Sequence, residues 1–106
     1  MQNMQYEKAS NKLDMLKQIN NIKFSNCRSY HLFNNRPLYE KRFADIEKFH
    51  HPGLAPASDQ SGSYHINFDG IAIYEKRFDK TFGYYCNRAA VIDNGNYYHI
   101  DSEGKR

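Results

Sequence analysis

Tyr64-His65-Ile66-Asn67-Phe68-Asp69-Gly70, followed by Tyr74-Glu75-Lys76-Arg77-Phe78, is the stretch that decides the fold, because both parts recur. The Tyr-His-aliphatic triplet appears first as Tyr30-His31-Leu32 and again as Tyr98-His99-Ile100, at two intervals of 34 residues. Tyr39-Glu40-Lys41-Arg42-Phe43 is identical to 74–78 at an interval of 35, so the second copy holds one more residue between the two motifs. Self-similarity at such a period is the mark of a repeat architecture, in which each unit buries its apolar face against its neighbours. The chain divides accordingly, as a single domain, into an N-terminal segment 1–27, a first repeat 28–63, a second 64–97 and a partial third 98–106.

Within each unit the residues read as β-hairpins. Tyr64-His65-Ile66-Asn67-Phe68 alternates large apolar and polar side chains, the period of a half-buried strand. Asp69-Gly70 and Asn94-Gly95 supply the positive-φ residues of tight turns, and Asn94-Gly95 is the strongest such signal. The spacing predicts strands near 28–33, 37–43, 54–58, 63–68, 71–78, 89–93 and 96–101. Ahead of them, Ala9, Leu13, Leu16 and Ile19 line one face of a helix predicted over 4–20, which caps the first unit. The fold class is therefore α+β, mainly β: an N-terminal helix packed on an antiparallel hairpin meander of two and a half repeats.

Composition excludes several alternatives. Nine Tyr and seven Phe in 106 residues are too many for a disordered chain, and no apolar run is long enough to cross a bilayer. No charged segment followed by an apolar stretch marks an export signal, so a cytoplasmic location is expected. Cys27 and Cys86 then read as reduced thiols. The net charge of +3 resides in residues 1–63, which carry nine basic and six acidic groups.

The pattern Tyr98-His99-Ile100-Asp101-Ser102-Glu103-Gly104-Lys105, with Tyr74-Glu75-Lys76-Arg77-Phe78 and Gly53-Leu54-Ala55, resembles the bacterial WG-type (KWG) repeat over residues 30–106. The Trp of that family is absent here, where the chain has Tyr or His. The resemblance implies a β-rich repeat fold of bacterial or phage origin that serves as an interaction module. It donates no catalytic residue.

Three histidines, His31, His65 and His99, share one repeat position. A metal ladder would need them to converge, whereas equivalent positions on strands two or more places apart stand about 10 Å from each other, so each imidazole is expected to be hydrogen-bonded to a neighbouring strand. His50-His51 falls in a predicted loop. In the Glu-Lys-Arg repeats, Arg42 and Arg77 are expected to pair with Glu40 and Glu75 across strands, with both Phe rings buried. No nucleophile elbow, phosphate loop or zinc-protease motif occurs, and neither an enzyme nor a cofactor or metal site is expected.

The expected function is a small protein-binding module, an adaptor or inhibitor. Its aromatic and Arg-rich β surface is formed by Tyr39, Arg42, Tyr74, Arg77 and Tyr97. The alternative is nucleic-acid binding through Lys12, Lys17, Lys23 and Arg28. Because the third unit lacks the segment that would return along it, strand 96–101 is predicted to leave an open edge, where a homodimer or a partner strand pairs.

Overall fold

The computed structural model describes the backbone of residues 12–106 and side chains from Asp14 onward. The chain is mostly β. Helix α1 (Lys12–Lys17) and a 3-10 turn (Ile19–Asn21) lead into nine strands: β1 (Lys23–Phe24), β2 (His31–Phe33), β3 (Arg36–Pro37), β4 (Asp45–Ile46), β5 (Ala55–Asp59), β6 (Gly62–Ile66), β7 (Lys80–Tyr85), β8 (Arg88–Asp93) and β9 (Asn96–Ile100). They form three antiparallel three-stranded sheets, β1-β2-β3, β4-β5-β6 and β7-β8-β9. The helix predicted over 4–20 is α-helical at Lys12–Lys17, and its first eight positions lie outside the described residues. Met15 from α1 is buried in the same core cluster as Phe33, Tyr39 and Phe43 of the first unit.

The hairpin at Asn94-Gly95 forms as predicted. Asp93 pairs with Asn96 across it, and both turn residues have positive φ, 53° and 81°. Three strands were not legible: β1, β4 and β7. The last is entered without a turn signal and leaves through Cys86-Asn87, which takes the same left-handed geometry with φ of 51° and 65°. Asn tolerates that region, but a cysteine gives no notice of it.

Two predicted strands are corrected. β3 ends at Pro37, so 38–43 makes no ladder, and the main chain of 71–78 pairs with β6 only through the isolated bridges Ile66↔Ala72 and Ser63↔Phe78. The reason is the arginine. Arg42 Nη1 donates to the carbonyl oxygens of Tyr39, Glu40 and Lys41 at 3.2, 2.8 and 3.1 Å. Arg77 does the same to Tyr74, Glu75 and Lys76. Three successive carbonyls aimed at one guanidinium cannot also alternate across a pleat. The expected cross-strand pairs with Glu40 and Glu75 therefore give way to this local cap.

Both Phe rings of the repeated motif are buried, as are Tyr64, Ile66, Tyr84, Val91 and Ile100. Two core clusters result, one under the first two sheets and one under the third. Tyr74 packs against both and joins them.

Candidate partner-binding face

The repeated histidine defines a local module that is built twice. His31 Nε2 lies 2.8 Å from the carbonyl oxygen of Glu47, and its Nδ1 lies 2.5 Å from the Tyr39 hydroxyl. A carbonyl only accepts, so Nε2 carries the proton and Nδ1 accepts from the tyrosine. His65 repeats the arrangement with Phe82 O at 2.8 Å and the Tyr74 hydroxyl at 2.5 Å. A ring closes each from the other side: Phe49 at 4.4 Å from His31 and Tyr84 at 4.5 Å from His65, centroid to centroid. Burial pushes both imidazoles down to about 4, against the opposing pull of the carbonyl bond, so both are neutral at pH 7. The partners of both imidazoles are thus a tyrosine hydroxyl, a main-chain carbonyl and an aromatic ring. Among the described residues no group of three or more His, Cys, Asp or Glu side chains converges.

The remaining residues of the repeated motif serve the same joint. Arg42 stacks on the Tyr30 ring at 3.7 Å and Arg77 on Tyr64 at 3.9 Å. Lys41 and Lys76 reach Asp59 and Asp93 of the following hairpins at 3.8 and 3.1 Å. Asp59 is held down at about 2: burial opposes its ionisation, but hydrogen bonds from Ser61 and Tyr64 and the charge of Lys41 outweigh it. The glycine of each next turn seats the tyrosine of the unit before. A Cβ on Gly70 would stand 2.7 Å from Tyr39 Cγ, and one on Gly104 the same from Tyr74 Cγ.

These contacts locate the expected binding residues. Tyr39 is buried, and Tyr74 is half-buried with its hydroxyl on His65. Arg42 and Arg77 are each committed to three carbonyls and a ring. Tyr97, by contrast, is 63 % exposed. Of the basic set, Lys17 and Lys23 are exposed, and the Lys12 side chain lies outside the described residues. Arg28 is paired with Asp45 and Glu47, each at 3.0 Å, and stacks on Phe24 at 4.6 Å, so two carboxylates offset its charge.

The third histidine has a different fate. In the second sheet, β7 crosses the face of β5 and β6 that carries His65; Ser63 Oγ meets Thr81 Oγ1 at 2.6 Å there, beside the bond to Phe82 O. Among the described residues nothing crosses the corresponding face of β8 and β9. His99 is exposed, and its one ring neighbour among the described residues is Tyr97 at 5.6 Å, edge-on. Around it Phe82, Tyr85, Arg88, Ala90 and Tyr97 line an open, mainly apolar groove of about 530 Å³. The backbone is open as well. In β6, Ser63 exchanges both main-chain bonds with Phe78, and the His65 carbonyl accepts from Ile73 N–H. Tyr97 and His99 hold those positions in β9, which among the described residues pairs with β8 alone. Phe82 and Tyr85 were missed in the sequence because β7 was missed. No helix among the described residues is long and apolar enough to cross a membrane. No protein-family model, no curated protein and no solved structure matches the chain.

Proposed function

We propose that the chain is a non-enzymatic protein-binding module of the WG-repeat kind, which takes another polypeptide onto the open face and edge of its last sheet. The observation that supports this reading is the groove around His99. Tyr97 on the β9 edge is 63 % exposed, and Phe82 and Tyr85, across the same sheet on β7, are 39 % and 67 % exposed, while the large aromatics of the two core clusters are buried or half-buried. Exposed aromatics beside unpaired main chain suit strand addition, in which backbone bonds give affinity and the side-chain groove gives selectivity. A module of this kind acts by occupying its partner, as an adaptor or an inhibitor does.

A photo-reactive residue at position 97, expressed in the native cell, tests it. The reading expects one polypeptide adduct that disappears in the Phe82→Ala variant and is absent when the probe sits at Ser102. A dimer in light scattering at micromolar concentration, with the position-97 adduct running to a second copy, would overturn the assignment to a foreign partner. So would an adduct to nucleic acid that fades steeply with salt.

A further inference from the structure

The chain itself shows twice what fills the position that His99 leaves open. Over His31 and over His65 the occupant is one continuous stretch: a bent segment with Tyr and Phe four residues apart and Arg before the Phe, then residues that present a carbonyl, Glu47 or Phe82, and an aromatic ring, Phe49 or Tyr84. We infer that the open groove is a receptor for a Tyr-x-x-Arg-Phe segment of a separate polypeptide, seated as 74–84 is seated on the second unit. This rests on the protein-binding reading above and specifies the ligand.

Each receptor element has a counterpart in the filled sites. His99 offers Nδ1 to a ligand tyrosine hydroxyl and Nε2–H to a ligand carbonyl, the two bonds that His65 makes to Tyr74 and Phe82. Tyr98 stands where Tyr64 stands beneath Arg77, and it already carries the Arg106 guanidinium at 4.4 Å, so its ring face accepts a cation. Asp93 stands where Asp59 stands, and its carboxylate is held by Lys76 and the Tyr98 hydroxyl as Asp59 is by Lys41 and Tyr64. The main-chain positions Tyr97 and His99 match Ser63 and His65, which bond Phe78 and Ile73. The ligand's own tyrosine supplies the cover, so recognition depends on a side chain pair as well as on shape.

The probe is a fluorescein-labelled synthetic peptide copying residues 70–85, titrated into the full chain and read by anisotropy. Saturable binding at about 100 μM or tighter is expected, since part of the interface energy is spent ordering the peptide. Replacing the peptide tyrosine equivalent to Tyr74 by Phe removes one buried hydrogen bond and should weaken binding about five- to tenfold. His99→Ala in the receptor should weaken it at least as much, and a melting curve of that variant checks that an exposed position was changed without unfolding. A scrambled peptide binding equally well, or no loss with either substitution, would overturn the inference. If the position-97 probe still captures a polypeptide that has no Tyr-x-x-Arg-Phe segment, this inference falls and the protein-binding reading stands.

Discussion

Lowering the pH should unfold this protein from within its repeated histidine joints. His31 and His65 are fully buried, and their folded-state values near 4 lie well below the 6.5 of an unfolded histidine. The unfolded chain therefore binds protons first. Stability is complete above about pH 6.5 and is lost as pH falls toward 4. Each unit of pH within that window costs about 1.4 kcal/mol per histidine, so at pH 5 the two together cost about 4 kcal/mol. That is a large part of the 5–15 kcal/mol typical of small domains. His50, which burial also lowers, adds a smaller loss of the same sign. The carboxylates do not confuse the window: Asp59, held down at about 2 from 3.8, loses its contribution only below pH 4. Urea unfolding followed by circular dichroism at pH 7 and pH 5 measures the difference. A double His31→Gln/His65→Gln variant should be less stable at pH 7 yet lose most of the pH dependence, whereas His99→Gln, at an exposed position, should keep it. Equal stability of the wild type at the two pH values would refute the buried-neutral assignment.

Other substitutions probe the same joints. Tyr74→Phe leaves His65 Nδ1 buried without its donor and should cost about 1–3 kcal/mol in urea unfolding at pH 7. Arg77→Lys keeps the charge but cannot hold three carbonyls and the Tyr64 ring together, so a loss of about 1 kcal/mol and a lower Tm are expected. Gly70→Ala and Gly95→Ala both force a side chain into positive φ, but only the first drives a Cβ against Tyr39. Gly95→Ala should cost about 1 kcal/mol and Gly70→Ala clearly more, as the difference in their melting temperatures will show.

Much of this architecture was legible in the sequence, because repetition displays packing. The identical Tyr-Glu-Lys-Arg-Phe stretches announced two equivalent joints, and Asn94-Gly95 announced its hairpin through turn chemistry alone. What escaped depended on contacts that sequence periodicity does not encode. Alternation made 37–43 and 71–78 look like strands, yet Arg42 and Arg77 bend them by gathering local carbonyls. β7 escaped for the opposite reason: Gly83 weakens its strand pattern, and Cys86 hides its turn. Losing β7 also hid Phe82 and Tyr85, the two rings that make the face around His99 a groove instead of a lone edge.

His31, His65 and His99 are one residue in three surroundings, and the comparison assigns their roles. In the first two the tyrosine hydroxyl, the carbonyl and the ring arrive from later parts of the same chain, and the imidazole is structural. At His99 the sheet beneath is complete, with Ile100, Val91 and Ala89 buried as their counterparts Ile66, Ala57 and Ala55 are. A sheet already packed from beneath has little left to order when a segment docks on its exposed face and on the edge of β9. Stability resides in the filled copies, and the proposed function places recognition at the open one, so substitutions at His65 should unfold the chain, whereas those at His99 should leave its stability unchanged and alter binding of the peptide copying residues 70–85.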